Sequence, residues 1–471
     1  MPLPILYLGE SLIKNRYEPI LLDMQVDEFS PSILDGVELV GISTLTGQQI
    51  KYGISVAEQV RLYNPNIPIV WGGIHPTLMP EQTMESSLVD YVIRGEGEES
   101  FPQLIKALQT GIDLNTVPGL VYKQDDKICL NEKSPFINFN NYNNLPYNLL
   151  SLSKYQTSTR MEYQSSRGCP YGCLFCYNRD FNKFKWRAKD AKIVLDEIQE
   201  IKEQFNPTYL TIEDDEFFIN KERAKQIMQG MVDRKLNFLW KTSIRIDTIN
   251  SYDNDMLDLF DKSGFMEFAT GAESGSNSTL SLIKKQINRD EILASARKLQ
   301  QITTTPQYSF MTGFPGETVQ DLRETINCID EIWKINKKIK VNGLFFATPF
   351  PGTGLYDLAC SNGYKPPKTL EEWANLSFAS SYKVAPYVDE EFKLLFIVFS
   401  LIVKFKFLWM LSESFLQNRT NRSTLKYWAF SAFHILFTPF KFIFDIRWKT
   451  RNVAFPIDIF LVRYILEKAK I

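Results

Sequence analysis

At 471 residues the chain is long enough for two or three domains and a sizeable core. Its 53 basic and 55 acidic residues nearly cancel, so no global charge points to nucleic acid as a partner. Six cysteines, three clustered and three scattered, do not read as a secreted disulfide framework. The start Met1-Pro2-Leu3-Pro4-Ile5 lacks a basic n-region, so no signal peptide is expected and a reducing cytoplasm is the predicted setting.

The first ~140 residues alternate strand and helix signals in the βαβ manner. Glu10 to Tyr17 reads as a helix end, Pro19 to Met24 as a strand and Leu39 to Ser43 as a buried strand. Gln48 to Tyr63 has helical periodicity, and Pro68 to Trp71 is the next strand, running into Gly72-Gly73. Val89 to Arg94 feeds Gly95-Glu96-Gly97 and a helix through Leu108. Open parallel sheets take ligands beyond the carboxyl ends of their strands, which puts Ser43, Gly72, Gly73 and Gly95 around one crevice. His75, beside Pro76, is read as a polar loop residue. Gly119 to Leu130 reads as a hairpin turning at Gln124-Asp125-Asp126, with Cys129 a small core residue. Asn-rich Asn138 to Leu150 is the linker.

Cys169-Pro170-Tyr171-Gly172-Cys173-Leu174-Phe175-Cys176 then sets three thiols at spacing C-x3-C-x2-C. Soft thiolates in that number suit zinc or an iron–sulfur cluster. Structural zinc wants four protein ligands, and no fourth Cys or His lies nearby, which favours a four-iron cluster with one open iron. Beyond it, a helix from Ala188 to about Phe205 leads into strands at Thr208 to Ile212, Trp240 to Arg245, Phe265 to Thr270, Tyr308 to Thr312 and Val341 to Thr348. These strands end in Glu213-Asp214-Asp215-Glu216, Arg245-Ile246-Asp247, Gly271-Ala272-Glu273-Ser274-Gly275, Gly313-Phe314-Pro315-Gly316-Glu317-Thr318 and Pro349 to Gly354. Groups at the carboxyl ends of barrel strands face an active site, and about six units are too few for a closed eight-stranded barrel.

The cysteine loop, with Phe175 in its aromatic place, resembles that of the radical S-adenosylmethionine (radical SAM) enzymes. Ser166-Arg167-Gly168, Asp214-Asp215-Glu216-Phe217, Gly271 to Gly275 and Gly313 to Thr318 are similar to that family in the same order. The resemblance implies that Cys169, Cys173 and Cys176 hold a 4Fe–4S cluster. The open iron would take the amino and carboxylate groups of S-adenosylmethionine, and one electron would cleave the sulfonium to a 5′-deoxyadenosyl radical. It further implies that Phe175, Asp214, Asp215, Arg245, Glu273, Gly313 and Gly316 serve the cofactor site. A flavodoxin- or ferredoxin-type donor would supply the electron. Trp71 to Pro76 and Val92 to Phe101 resemble the cobalamin-binding domain that precedes many radical SAM cores. That implies cobalamin at Ser43, Gly72, Gly73 and Gly95, with no protein histidine below cobalt. Relatives open with another strand before the segment matching Leu3 to Leu8, so either the sheet is expected to lack its first strand or the chain to be truncated.

The predicted architecture is α/β. Residues 1–145 form a doubly wound, Rossmann-like cobalamin-type domain, 155–365 a partial (β/α)6 TIM barrel, and 366–471 a helical, basic and aromatic extension. The implied chemistry is radical attack on an unactivated carbon of a small-molecule or lipid-like substrate, with methylation if cobalamin binds. A radical cyclase or rearranging enzyme without functional cobalamin is the alternative, and a non-catalytic electron relay the reading from another class. In the tail, Leu394 to Val403, Phe407 to Leu411 and Tyr427 to Phe440 are apolar, and Lys404, Lys406, Arg419, Arg422, Lys426, Lys441, Arg447, Lys449 and Arg451 border them. No uncharged run reaches the ~18–20 residues of a spanning helix. The pattern instead suits interfacial helices on the inner face of an anionic membrane, or a cap on the barrel's open side.

Overall fold

The computed structural model describes residues 1–155, 159–376, 378–417, 425–451, 453 and 456–468. The front unit is a five-stranded sheet in the order β1 (Val40–Ser43), β2 (Ile69–Gly72), β3 (Tyr91–Ile93), β4 (Leu120–Gln124) and β5 (Lys127–Leu130). Its first three strands are parallel and its last two form an antiparallel hairpin. Asp125 and Asp126 turn that hairpin with φ of 49° and 59°, the left-handed pair a two-residue loop demands. Alternation along β2 sends Ile69 and Trp71 into one core with Ile50, Val60 and Met84, and Val70 into another with Leu12, Phe101 and Leu104. The sheet is therefore covered by helices on both faces, the doubly wound arrangement. Pro19 to Met24, expected as a strand, runs as a loop: Pro19 has no N–H to give a ladder, and Asp23 accepts instead from the Tyr155 hydroxyl at 2.9 Å.

The second unit is an open sheet of six parallel strands. Its order is β6 (Arg160–Tyr163), β9 (Tyr209–Ile212), β10 (Leu239–Ser243), β11 (Phe265–Glu273), β12 (Thr305–Thr312) and β13 (Lys340–Phe346). A two-strand ribbon, β7 (Ser166–Arg167) with β8 (Arg187–Ala188), brackets the cysteine loop. Along β12, Pro306, Tyr308, Phe310 and Thr312 are buried while Gln307, Ser309 and Met311 stay partly open, so one face meets the helices and the other lines the concave interior. Packing behind the sheet is aromatic: Trp240 stacks on Phe265 at 4.3 Å, with Phe217, Phe218, Phe260 and Phe268 around them. The connecting helices start on strong caps, with reciprocal capping boxes at Asn288/Glu291 and Thr318/Asp321.

The C-terminal helices close one edge of this sheet. Helix Glu390–Gln417 packs along β13, where Phe396 meets Phe346 at 5.2 Å and Tyr382 at 5.8 Å. Helix Leu425–Thr450 packs on that helix through Phe405 with Phe444 and Phe399 with Trp448. Two sequence expectations change here. The stretch Glu390–Glu413, at mean hydropathy 2.2 and half buried, is long and apolar enough to cross a membrane, because only Lys404 and Lys406 break its apolar middle. In this fold its apolar face is spent on β13. Residues 366–376, assigned to the extension, belong spatially to the front unit, since Leu370 and Trp373 complete the Ile50–Trp71 core. Arg419 and Arg422 lie outside the described residues.

Candidate functional site

The cysteine loop crosses the carboxyl ends of the barrel strands and is clamped on both sides. Asp214, at the end of β9, accepts from the backbone N–H of Ser165 and Ser166 and from both their hydroxyls, at 2.5–3.0 Å. Asp215 accepts from the Gly168 N–H before the first cysteine, and from the Tyr177 hydroxyl and Asn178 amide after the last, at 2.7–2.8 Å. The two acids, expected to serve S-adenosylmethionine, are thus taken up by the loop's own donors. Gly168 has φ of 86°, and a Cβ there would lie 2.1 Å from the Lys185 carbonyl oxygen, so only glycine fits. Leu174 pins the middle of the loop, donating to Ile283 and accepting from Leu355, both at 2.9 Å.

Burial pushes the Cys169 thiol up to about 12 and the Cys176 thiol up to about 11, so the thiolate form needs the positive charge of a bound centre. Among the described residues no three His, Cys, Asp or Glu side chains converge on one ion position. Three soft sulfurs spread along one short loop, with no fourth ligand, fit separate corners of an iron–sulfur cluster better than a single zinc.

Around the loop stand buried charges. Glu273 ends β11 with φ of 65°, and its Oε1 accepts from Lys285 Nζ at 2.9 Å. A Cβ on Gly271 would fall 1.9 Å from that oxygen, which explains a glycine two residues earlier. Oε2 of Glu273 accepts nothing from the described residues, leaving it open to a ligand hydroxyl. Arg245 grips Asp247 with two nitrogens, donates to the Lys285 carbonyl and to Cys173 Sγ, and lies over the Tyr171 ring. Four of its five N–H donors bond within the protein. Glu216 is buried beside Cys169, and that burial pushes its carboxyl up to about 8. In the Gly313–Thr318 turn, Glu317 accepts from the Thr312 hydroxyl and the N–H groups of Gly313 and Phe314 at 2.6–3.1 Å. The Gly313 N–H is therefore occupied, whereas Gly316, with φ of 92°, faces open space. Phe175 is half-buried with its ring 6.2 Å from Phe314.

The front-unit crevice lies at the ends of β1 to β3. Gly73 has φ of 90°, and a Cβ there would press on the Thr44 carbonyl and Ser43 Oγ at 2.8–2.9 Å, so backbone closes tightly. Gly72 precedes it, and Gly95, with φ of 88°, has nothing within 4 Å of its missing Cβ. Thr44 Oγ1 and His75 Nε2 are buried there without a hydrogen-bond partner. Backbone brought close, open space over Gly95 and two orphaned polar atoms fit a large polar ligand such as cobalamin. His75 is not a loop residue as expected: it lies in the short helix Ile74–Leu78, fully buried and edge-on to Trp373. That burial pulls its pKa down to about 4, so the ring is neutral.

Sequence reasoning missed the bond between the two units. Arg167, in the cysteine loop's ribbon, pairs with Glu96 at 3.0 Å and Glu98 at 2.7 Å, and Arg187 pairs with Glu96 at 2.8 Å. Burial works against the Glu96 charge, but Arg167 and Arg187 together hold its carboxyl below the usual range. The strand-end loop Gly95-Glu96-Gly97 is thereby tied directly to the cysteine loop. The repeated acids were visible in the sequence; their basic partners, some 70–90 positions away, carried no local signal.

Comparison with known proteins places both units. The pattern of the radical SAM superfamily matches residues 163–329, and that of the B12 binding domain matches residues 1–105. An uncharacterised methyltransferase of Pyrococcus horikoshii is 30% identical over 376 residues, covering 77% of this chain and 79% of the relative. The anaerobic magnesium-protoporphyrin IX monomethyl ester cyclase of Rubrivivax gelatinosus is 28% identical over 61% of this chain and 53% of its own length. In fold, the chain is similar to OxsB, a cobalamin-dependent S-adenosylmethionine radical enzyme solved with aqua-cobalamin and S-adenosylmethionine. The TM-score is 0.69 at 17% identity, over 100% of this chain and 79% of that one. The methyltransferase TsrM of Kitasatospora setae, solved with cobalamin and a [4Fe-4S] cluster, gives 0.65 at 18% identity, over 78% and 76%.

Proposed function

Because the chain belongs to the radical SAM superfamily, in the type with a B12 binding domain, we propose that it methylates an unactivated carbon. It is an enzyme whose cofactors are a 4Fe–4S cluster, S-adenosylmethionine and cobalamin. The electron-relay reading is set aside, since the relatives at hand are methyltransferases and cyclases. Bound together, the three cofactors supply a carbon-centred radical and a transferable methyl group. What supports the assignment most is the clamped loop: Asp214 and Asp215 bond the residues on either side of Cys169, Cys173 and Cys176 and so fix three thiols at the barrel mouth.

In this reading the three cysteines hold the cluster, and Phe175 packs behind it against Phe314. Glu273 Oε2 and the open backbone at Gly316 receive S-adenosylmethionine. Ser43, Gly72, Gly73 and Gly95 receive cobalamin, and the Arg167–Glu96 bond keeps that crevice against the cysteine loop. A low-potential donor of the flavodoxin or ferredoxin class supplies the electron. Ring closure is the second reading, supported by the likeness to the cyclase. Anaerobic reduction with S-adenosylmethionine, followed by assay for 5′-deoxyadenosine, tests the enzyme. Labelled methyl transfer then separates methylation from cyclisation.

We further propose a peripheral position on the cytoplasmic face of a membrane. None of the six cysteines forms a disulfide, which suits a reducing compartment. Helix Leu425–Thr450 exposes Phe442 and Ile446, and helix Ile457–Lys468 exposes Ile457, Leu461 and Tyr464 at i, i+4, i+7 spacing. Arg447 and Asp458 join the two helices, so these stripes lie on neighbouring elements. Lys441, Arg447, Lys449 and Arg451 outnumber Asp445 and Asp458 around them, as an anionic surface would favour.

A further inference from the structure

Arg245 is held by four hydrogen bonds and a ring contact. Nε and Nη2 hold the Asp247 carboxylate at 2.9 and 3.1 Å, and Nη2 also donates to the Lys285 carbonyl at 3.0 Å. Nη1 points at Cys173 Sγ at 3.9 Å, and the guanidinium carbon lies 3.6 Å from the centre of the Tyr171 ring. The residue is 6% exposed. Lys285, equally buried, also acts electrostatically on Cys173, while its ammonium pairs with Glu273. Two buried cations therefore stand beside the middle cysteine of the loop, and the Arg245 guanidinium is held there by four hydrogen bonds to this chain's own groups.

We propose that Arg245 is a positioning residue that sets the reduction potential of the cluster through Cys173. This rests on the reading that the three cysteines hold the cluster. Adding an electron makes the cluster and its thiolates more negative. A buried cation near the sulfur stabilises that state, since little water is present to screen it. Its stack on Tyr171 and its hydrogen bond to Lys285 fix where the charge sits, so the effect is built into the loop rather than left to a mobile side chain. Asp247 tempers it: its side chain is 27% exposed, so its opposing influence is partly screened.

The test is an anaerobic redox titration of the full chain, reconstituted with iron and sulfide and followed by EPR without S-adenosylmethionine. Arg245→Met should lower the midpoint potential by about 59 mV, a tenfold change in the one-electron equilibrium. Arg245→Lys should restore most of the loss, and Asp247→Asn should move the potential the other way by less. A role in folding alone would lower iron content without this reversal of sign. Iron is measured on every protein. If the unmodified chain takes up none, the cluster reading itself fails. Variants that carry the cluster at an unchanged potential would overturn the role given to Arg245. Should Arg245→Met load no iron, Asp247→Asn decides the matter, and a potential that does not rise in that variant rejects the proposal.

Discussion

Glu273 holds a left-handed backbone that costs a non-glycine residue roughly 1–3 kcal/mol and persists only where its neighbours enforce it. Here Lys285 grips one carboxylate oxygen and the missing side chain of Gly271 makes the space. The strain buys an acceptor fixed beside the cysteine loop, with Oε2 still open. Gly271→Ala and Glu273→Gln should each weaken S-adenosylmethionine binding about tenfold or more, the worth of one charge-assisted hydrogen bond, and leave iron content unchanged. Calorimetry showing wild-type affinity in both would remove Glu273 from the cofactor site. Glu317 offers a pH test. Burial pushes its carboxyl up to about 7, against three donors that favour the ionised form. A raised pKa contributes stability that is present below the ordinary ~4.5 and lost as pH rises through about 7, roughly 3 kcal/mol in all. Glu317→Gln should lower the melting temperature, because its amide meets donors, and should flatten the pH dependence of melting across that window. An unchanged slope would show that Glu317 does not titrate there.

At the level of elements, the acids after β9 show what a sequence can and cannot give. Asp214-Asp215 was legible as a pair at a strand's carboxyl end; its place around the cysteine loop was not. Its partners were not: five of the seven donors precede Cys169 and two follow Cys176, and only the fold brings them round. The acids shape the loop instead of reaching outward. Asp215→Ala should therefore leave far-UV circular dichroism intact but release iron on desalting after reconstitution. Retention of the full complement would mean that the loop holds its form without the clamp. Helix Gln48–Tyr63 agrees with its reading to the residue, because periodicity reports an amphipathic face directly. Pro19 to Met24 misled, since its apolar residues lacked a neighbouring strand to pair with. Arg245 stands at a strand end as expected, but a guanidinium's partners, here Asp247, Cys173 and the Lys285 carbonyl, cannot be read from spacing.

Across the whole molecule, long-range ties among the described residues join the front unit to the barrel, and two of them bear on the site. Arg167 and Arg187 hold Glu96 at one point, and the segment carrying Trp373 returns to the front core at another, where its indole N–H donates to Gln82. Neither was legible, for each joins residues far apart in the chain. The tail was legible in character and not in placement: its first long helix covers β13, while the exposed stripes fall on the last two. Full-length protein should float with vesicles containing anionic phospholipid and not with neutral ones. Phe442→Glu with Ile457→Glu should abolish flotation without loss of melting temperature. An unmodified chain that stays with the soluble fraction would refute the membrane position, and a double variant that still floats would refute the surface. The central claim is that the clamped cysteines serve radical chemistry. Its most direct measurement is 5′-deoxyadenosine formed from S-adenosylmethionine by anaerobic, reconstituted and reduced protein. The account predicts formation by the unmodified chain and none by Cys173→Ala; a chain that carries about four irons yet releases no 5′-deoxyadenosine would contradict it.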